Sequence, residues 1–378
     1  MKKALFVATV FDFLDFEKSD IGILMSMGYE VHTATNMYGY EGFTDRGQLD
    51  GIDVVKHQID FGRSPFSSKS IKAYKQLKQL MTVHHFDLIH CHTPVAAAIA
   101  RLAARTTRKR GTKVVYTDHG FHFHKTSGWK TWVLYYPVEY LMAYFTDMIM
   151  TINKEDYGVI QKFHCPIKKY IPGVGVDVER VQSMNPNRAA LREEFHIPLD
   201  AFLILSVGEL STRKNQEVII RAIAMLGNPK VYYLLCGSGD KKEYLETLSK
   251  EFGVANQVIF AGLIPHDKVL ELGYAADLGA LPSLIEGLGL AGIEAIAAGR
   301  PVIASGLHGI KDYVIDGETG ICCEPHNPIA FCAAINRLME DAKLYQRCCE
   351  GARKKALEFD IRHVQELMRE NYKEILSK

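Results

Sequence analysis

The residues best suited to chemistry lie in the segment 281–305, which reads LPSLIEGLGLAGIEAIAAGRPVIAS. Its pattern predicts a strand end, a glycine-bearing loop, a short helix that Gly299 closes, and a second strand. The loop 286–289 therefore delivers the chain to a helix N-terminus. Free backbone N–H groups and the helix dipole favour an anion such as a phosphate at that position.

Two carboxylates flank this predicted anion site. Glu286 lies in the loop, and Glu294 lies about a turn and a half inside the helix, within reach of a hydroxyl next to the phosphate. Gly287 and Gly289 allow a ligand to approach the backbone closely. An anion site between two carboxylates suits a sugar, a diphosphate and a ribose laid end to end. The alternative is an ordinary βα turn with a solvated Glu286.

Two cations and a glycine turn follow other strands of the same half of the chain. Arg213 and Lys214 come after an apolar run at 202–207, and Gly237 and Gly239 come directly after another at 231–236. Paired cations at a strand end can clamp a diphosphate as its charge develops, although a solvated pair is the alternative. The glycine turn has room for a nucleotide base or ribose.

Three histidines follow the strand predicted at 114–117, namely His119, His122 and His124. They lie at the carboxyl end of a parallel strand, which is where α/β sheets place ligands. Zinc is a weak alternative because no carboxylate on a nearby helix accompanies this spacing. No metal is predicted.

The elements that position these residues alternate regularly. Apolar runs predict strands at 5–10, 31–35, 52–56, 87–90, 113–117, 148–152, 202–207, 231–236, 258–261 and 278–281, with helical patterns between them. This rhythm is typical of α/β proteins with doubly wound parallel sheets. The first βα loop, VFDFLDFEKSD, lacks both G-x-G-x-x-G and a P-loop, so neither a dinucleotide oxidoreductase nor a nucleoside triphosphatase is indicated.

A change of composition divides the chain into two predicted domains. Pro172, Gly173 and Gly175 cluster after the last predicted strand of the first half, and we place an interdomain hinge there. The first domain is predicted at 1–172 and is completed by a C-terminal helix at 360–378. The second is predicted at 173–359. A chain of 378 residues with 47% hydrophobic and 24% charged residues is ordinary for such a protein.

Composition also bears on location. The eight cysteines show no CxxC or Cys/His ligand spacing and are typical of reduced, cytoplasmic core residues. The apolar run at 4–10 is too short for a signal peptide. A membrane-spanning helix needs about 18 consecutive uncharged, apolar residues, and no segment approaches that length. A cytoplasmic protein is expected, with any membrane contact peripheral, at the inner face of the cell membrane.

A basic patch lies in the first predicted domain, although the formal net charge of the chain is only +1. Between 61 and 117 one acid, Asp87, is outnumbered by eleven cations: Arg63, Lys69, Lys72, Lys75, Lys78, Arg101, Arg105, Arg108, Lys109, Arg110 and Lys113. The lysines at 69–78 alternate with apolar residues, as in a basic amphipathic helix resting on anionic lipid. A solvated helix face is the alternative. Nucleic acid is not expected, because no binding motif accompanies the charge.

A long motif identifies a family. Pro282–Ser283 precedes Glu286-x7-Glu294, and Ala-x-x-Ala-Gly-Arg-Pro-Val-Ile-Ala completes the segment. This pattern resembles the C-terminal motif of the retaining glycosyltransferases of family 4, whose GT-B fold has two Rossmann-like domains facing across a cleft. The resemblance runs through most of the chain.

The resemblance implies roles for individual residues. His119 matches the histidine that faces the sugar across the cleft, and Lys214 matches a phosphate-binding lysine, whereas Glu209 stands at an arginine position. The backbone at Leu263 or Ile264 would recognise the base edge, and that at Leu288 and Gly289 would hold the diphosphate. His122 and His124 would be packing or rim residues. A Gly-Gly pair common in the family is absent from the first loop.

The resemblance also implies an activity. HGFHFH and GELSTRKN look most like bacterial enzymes that assemble capsule, exopolysaccharide or surface glycans on a polyprenyl diphosphate lipid. The expected reaction is metal- and cofactor-independent retaining transfer from a nucleotide sugar, preferably a UDP-sugar, with His119, Lys214 and Glu286 catalytic. The alternatives are a UDP-sugar 2-epimerase of the same fold and a non-catalytic nucleotide-sugar-binding subunit.

Overall fold

The computed structural model describes residues 1–38, 44, 45, 47, 49–62 and 67–378. Arg63 of the predicted basic patch lies outside these residues. The chain forms two compact units, one of Met1–Gly175 with Arg362–Lys378 and the other of Val176–Ile361. Each unit contains one parallel β-sheet, so the prediction of an α/β fold with two Rossmann-like sheets is confirmed.

The first unit has a seven-stranded sheet in the order β3-β2-β1-β4-β5-β6-β7. The strand order reverses between β1 and its neighbour β4, and such a switch point is where sheets of this kind bind ligands. The strands are β1 (Lys2–Val10), β2 (Tyr29–Asn36), β3 (Val54–Gln58), β4 (Leu88–Cys91), β5 (Lys113–Asp118), β6 (Met148–Thr151) and β7 (Ile167–Tyr170). The helices are α1 (Lys18–Ser26), α2 (Ser68–His84), α3 (Pro94–Arg108), α4 (Trp129–Ala143) and α5 (Lys154–Ile160), with a 3₁₀ helix at Phe11–Glu17.

The second unit has a six-stranded sheet in the order β10-β9-β8-β11-β12-β13. Its strands are β8 (Phe202–Val207), β9 (Val231–Cys236), β10 (Val258–Gly262), β11 (Leu278–Leu281), β12 (Val302–Ser305) and β13 (Gly320–Cys323). Its helices are α6 (Val178–Ser183), α7 (Arg188–Glu194), α8 (Glu217–Leu226), α9 (Lys242–Glu251), α10 (His266–Ala275), α11 (Leu290–Ala297), α12 (Pro328–Glu340) and α13 (Ala342–Ala356), with 3₁₀ helices at His308–Asp312 and Leu357–Phe359. The last helix, α14 (Ile361–Leu376), belongs almost entirely to the first unit.

Apolar strands explain both cores. The central strands β4, β6, β11 and β12 are buried along their whole length, as parallel strands covered by helices on both faces must be. Their side chains pack against α3 in the first unit and against α8 and α12 in the second. The loops that carry the candidate site residues follow the carboxyl ends of β1, β4 and β5 in one unit and of β8 and β11 in the other.

The structure corrects part of the predicted basic patch. Arg101 is fully buried, with its guanidinium 2.7 Å from Glu139 and 4.1 Å from the ring centroid of Tyr116. It therefore cannot contribute to a lipid-facing surface. Arg108 is half-buried and forms a pair with Asp147. The lysines of α2 are exposed. Ile71, one of the apolar residues that alternate with these lysines, is exposed too, because the buried side of α2 includes Ala73, Leu77 and Met81 instead.

No helix in the described parts of the chain is long and apolar enough to cross a bilayer.

Candidate functional site

Two loops of the second unit lie side by side and bring the predicted cations to a carboxylate. The loop after β8 carries Arg213 and Lys214, and the loop after β11 carries Glu286. Asn215 joins them by donating hydrogen bonds from Nδ2 to the carbonyl of Pro282 (3.0 Å) and to that of Pro325 (2.8 Å). This asparagine adopts a φ of 54°, which asparagine tolerates better than most residues. The sequence analysis did not identify it.

Glu286 is the centre of this arrangement. Its Oε2 lies 2.5 Å from Nζ of Lys214, and it accepts a hydrogen bond from Oγ of Ser283 at 3.2 Å. Both side chains of the pair are largely buried, with 12% and 15% exposed, so solvent screens their attraction only partly. A lysine held against a carboxylate in this way is positioned before any ligand arrives.

Arg213 lies at the rim of the same site. Its Nη1 is 4.0 Å from Glu286, its Nη2 is 3.8 Å from Glu209, and the side chain is about half exposed. Glu209, which the family resemblance aligns with an arginine position, therefore lies beside Arg213. Arg213 also donates a long hydrogen bond to the Ile285 carbonyl at 3.4 Å, and neither of its carboxylate contacts is a close ion pair.

The helix N-terminus predicted from the sequence is present. Gly289 precedes α11 with a φ of 86°, and Gly299 follows its end with a φ of 71°. A Cβ at Gly289 would lie 2.7 Å from Leu281 and 3.1 Å from Glu286, so a side chain there would displace the loop. Tyr313, which the sequence did not indicate, donates a hydrogen bond to the Gly289 carbonyl at 3.1 Å. The first turn of an eight-residue helix is thus fixed close to Glu286.

His308 is a second residue that the sequence analysis missed. Its Nδ1 lies 3.1 Å from the Glu286 carbonyl oxygen, and its backbone has a φ of 43°. A buried histidine that holds the glutamate's own backbone fixes the direction in which the carboxylate points. Nothing in the local sequence indicates this contact, because His308 lies 22 positions after Glu286.

Glu294 is not joined to Glu286 by any contact in the described parts of the chain. It lies within α11 and approaches Nε2 of His266 at 2.7 Å. This hydrogen bond raises the pKa of His266, because the carboxylate stabilises the imidazolium form. One carboxylate oxygen is thereby occupied, which leaves Oε2 to accept from a ligand.

The glycine turn after β9 packs directly on the loop after β8. A Cβ at Gly237 would overlap the carbonyl oxygen of Gly208, and one at Gly239 would overlap that of Leu210. Both glycines are therefore required by backbone packing alone. The amide of Gly237 also donates a hydrogen bond to the Gly262 carbonyl at 2.7 Å, which connects this turn to the segment that contains Leu263 and Ile264. The side chain of Leu263 is 80% exposed.

In the first unit, His119 lies in a cluster that the sequence did not predict. Its Nε2 is 3.2 Å from Nδ1 of His92, and both nitrogens are 3.3 Å from Oε1 of Glu17. Burial lowers the pKa of His119 to about 4, and burial with the nearby Asp20 raises that of Glu17. Glu17 ends the 3₁₀ helix at Phe11–Glu17, which occupies the loop where similar sequences carry a Gly-Gly pair.

The other two predicted histidines lie apart from this cluster. His122 is exposed and its ring centroid is 4.8 Å from that of Tyr135, whereas His124 is buried and bonds Thr126 at 2.9 Å. Within the described residues, no group of three potential metal ligands includes either of them. The zinc alternative based on the three histidines thus has no geometric support. Their expected role as packing or rim residues stays a prediction.

Comparisons with known proteins cover most of the chain. Residues 24–180 match the family described as Glycosyltransferase Family 4, and residues 187–355 match Glycosyl transferases group 1. The putative glycosyltransferase EpsD of Bacillus subtilis is 36% identical over 381 residues, which cover 97% of this chain and 95% of that protein.

Two solved structures illustrate the likeness in fold. Anabaena HepE in complex with UDP has a TM-score of 0.80 at 20% identity and covers 99% of this chain and 100% of its own. WaaG, described as a glycosyltransferase involved in lipopolysaccharide biosynthesis, has a TM-score of 0.72 at 19% identity and covers 98% of this chain and 99% of its own.

Proposed function

Since the chain belongs to the glycosyltransferases of group 1 and family 4, we propose that it transfers a sugar, with retention of configuration, from a UDP-sugar to a lipid-linked or glycan acceptor of surface polysaccharide. The second unit binds the donor and the first unit binds the acceptor. HepE, which shares the fold, was crystallised with UDP, and WaaG is named for a surface glycan; both support this choice of donor and pathway.

The observation that carries the proposal is the pairing of Lys214 with Glu286 beside the N-terminus of α11. A UDP-sugar brings a diphosphate, whose charge grows as the bond to the sugar breaks. Lys214 then turns from the carboxylate to the diphosphate, Arg213 closes on it from the rim, and the amides at Leu288 and Gly289 complete the anion site. Glu286, released from the lysine, accepts from sugar hydroxyls.

Retention follows a front-side route in this proposal. The departing diphosphate takes the proton of the attacking hydroxyl, and a bond forms from that oxygen to the anomeric carbon on the face that the diphosphate leaves. His119 supports the sugar as positive charge develops on it. No protein nucleophile takes part. Glu294 accepts from the ribose, and the backbone at Leu263 or Ile264 contacts the base.

Metal independence belongs to the same proposal, because Lys214, Arg213 and a helix N-terminus supply the positive charge that Mg²⁺ or Mn²⁺ supplies elsewhere. The test is transfer from labelled UDP-, GDP- and dTDP-sugars to a membrane lipid extract, with and without EDTA. An α-linked product from an α-linked donor, formed equally with chelator, is expected. A β-linked first product contradicts retention, and activity restored only by Mn²⁺ contradicts the roles of the cations.

Peripheral binding to anionic membrane is the remaining part of the proposal. Exposed cations on α2 and at the end of α3 support it, and α4 adds exposed Trp129, Val133 and Leu141 in the same unit. Each cation near an anionic surface contributes about 1 kcal/mol. Replacing Lys72, Lys75 and Lys78 together by glutamate should release the protein from vesicles containing phosphatidylserine.

The matched control for vesicle binding reverses three exposed lysines of the second unit, Lys230, Lys242 and Lys250. It should co-sediment like the parent. Equal binding by the α2 variant would show that its lysines form a solvated face only.

A further inference from the structure

The cluster of Glu17, His92 and His119 joins three separate elements of the first unit. Glu17 ends the 3₁₀ helix after β1, His92 directly follows β4, and His119 directly follows β5. These strands are neighbours in the sheet, and their carboxyl ends converge at its switch point. The three reactive atoms form a nearly equilateral triangle with sides of 3.2, 3.3 and 3.3 Å.

Aromatic packing fixes the two imidazole rings. Phe6 stacks on His92 with ring centroids 5.7 Å apart and planes at 5°, and Phe13 meets His119 edge to face at 4.8 Å. His92 and Glu17 are almost fully buried, whereas the side chain of His119 is 19% exposed. His119 is therefore the member of the cluster that a substrate can reach.

Two polar atoms of this cluster lack a hydrogen-bond partner within the part of the chain that the structure describes, whereas Nδ1 of His92 and Nε2 of His119 are hydrogen-bonded to each other. Oε1 of Glu17 and Nε2 of His92 are buried without a hydrogen-bond partner, although Oε1 lies between two imidazole nitrogens. Burial raises the pKa of Glu17 and lowers those of both histidines, so the neutral forms are favoured. A neutral carboxyl group has one proton to donate, and each neutral imidazole has one nitrogen that can accept it.

We propose that Glu17 is a positioning residue for His119, donating a hydrogen bond from its carboxyl O–H to Nε2 and so fixing the ring tautomer whose proton is on Nδ1. A small rotation of the Glu17 carboxyl group about χ3 aligns this hydrogen bond, and the energy minimum of that torsion is broad. His92 completes the chain by donating from Nδ1 to Oε1 of Glu17. The structure gives Nδ1 of His119 no partner in the described residues.

The consequence concerns what His119 presents to a substrate. With its proton on Nδ1, the ring offers a hydrogen-bond donor, which suits an oxygen of the sugar or of the acceptor. In the opposite tautomer the same edge would offer only an acceptor. The catalytic part of this inference rests on the proposed transferase function, whereas the tautomer does not.

The experiment combines imidazole ¹⁵N NMR with kinetics. The parent should show His119 with a protonated Nδ1 and an unprotonated Nε2. Glu17→Leu keeps the volume but removes the donor, so we expect mixed tautomers and a fall of about 100-fold in kcat with little change in the donor KM. Glu17→Gln retains an N–H donor and should keep both the tautomer and most of the turnover.

Asp15→Leu is the control, because Asp15 is an exposed acid of the same 3₁₀ helix. It should behave as the parent does. A parent His119 protonated on Nε2, or a Glu17→Leu variant with parental tautomer and kcat, would overturn the proposal. So would stoichiometric Co²⁺ binding that Glu17→Leu abolishes, because the triangle would then be a metal site.

Failure of a variant to fold and absence of transferase activity can each be distinguished from failure of the Glu17 proposal. If Glu17→Leu does not fold, the spectra of the parent and of Glu17→Gln still decide the tautomer. If the parent transfers no sugar from any donor, the proposed function fails, and the spectra still test the contact between Glu17 and His119.

Discussion

At the scale of single residues, the proposed donor site consists of charged groups that are already paired in the free protein. Lys214 is neutralised by Glu286 and His266 is hydrogen-bonded to Glu294. In the proposed function, a nucleotide diphosphate competes with Glu286 for the lysine and leaves the carboxylate available for the sugar. Affinity for the nucleotide and turnover of the sugar should separate in variants of these residues.

Lys214→Met tests the diphosphate contact. The variant removes the ammonium group and keeps most of the apolar stem, so we expect UDP to bind about 10- to 100-fold more weakly while uridine binds as before. Isothermal titration with the two ligands measures the difference. Lys242→Met, an exposed lysine of α9, is the control. Equal weakening of UDP and uridine would contradict a phosphate role for Lys214.

Glu294→Ala tests the ribose contact. If Glu294 accepts from the ribose as proposed, the variant leaves the ribose without that acceptor, and UDP binding should weaken by about 1 to 3 kcal/mol. His266→Ala removes only the partner of the other carboxylate oxygen and should cost less. Glu271→Ala, a partly exposed acid of α10 paired with Lys268, serves as the control. Unchanged affinity of the Glu294 variant for UDP would refute the assignment.

At the scale of elements, the loops after β8 and β9, which form part of the proposed donor site, pack closely through their backbones. The turn after β9 approaches the loop after β8 so closely that Leu210 donates to the Ser238 carbonyl at 3.0 Å and accepts from the amide of Lys241 at 3.0 Å. Such contact leaves no volume for a Cβ at Gly239. Gly237 and Gly239 therefore allow the turn after β9 to pack against the loop that carries Lys214.

Gly239→Ala should destabilise the second unit and weaken UDP binding together. Its Cβ meets backbone atoms of Leu210 that cannot rotate away, and overpacking of this kind costs about 1 to 3 kcal/mol. Thermal unfolding measures the loss. Gly158→Ala in α5 has open space around its Cβ and should be neutral or stabilising. A Gly239 variant as stable as the parent would show that the loops can separate at little cost.

At the scale of the whole molecule, the chain's last helix is tied to its first elements by a buried polar chain. Tyr372 of α14 donates to Oδ2 of Asp20 at 3.1 Å, and its hydroxyl is 2.8 Å from Nδ1 of His90. Burial raises the pKa of Asp20 to about 7, although the bond from Tyr372 lowers it. Burial lowers the pKa of His90 to about 3, so burial favours the neutral form of each group: His90 above about pH 3 and Asp20 below about pH 7.

These shifts act on stability in opposite directions. Between about pH 4 and pH 7, Asp20 holds a proton in the folded state that the unfolded chain has lost, so its contribution to stability falls as the pH rises. Between about pH 3 and pH 6.5, His90 lacks a proton that the unfolded chain binds, so its contribution rises with pH. The parent's stability profile is the sum of both, and a variant is needed to separate them.

Asp20→Asn isolates the carboxyl contribution. The amide keeps an acceptor for Tyr372 and cannot ionise, so the stability of the variant relative to the parent should increase from pH 4 to pH 7 by up to about 1.4 kcal/mol per pH unit. Urea unfolding at several pH values measures it. The same comparison for Asp15→Asn should give no such rise. A relative stability that is constant with pH would show that Asp20 is ionised in the folded protein.

The sequence by itself determined what local pattern can encode. Uninterrupted apolar runs gave the correct limits of β8, β9 and β11, because strands buried on both faces need no polar alternation. Gly299 and the loop before α11 were predicted correctly, since cap residues act on their immediate neighbours. Two strands were missed: β7 contains two lysines and β13 begins with glycine, and each forms by pairing with the strand beside it.

Only the tertiary structure decided which distant residues meet. His119 and Glu17 are 102 positions apart, and nothing in the spacing of either indicates the other. The spacing of Glu294 and His266 likewise does not indicate their contact. The charge of Arg101 predicts a surface position, whereas the structure buries it beside Glu139. Sheet order brings the ends of β1, β4 and β5 to one edge, and that convergence depends on chain topology, which local periodicity does not contain.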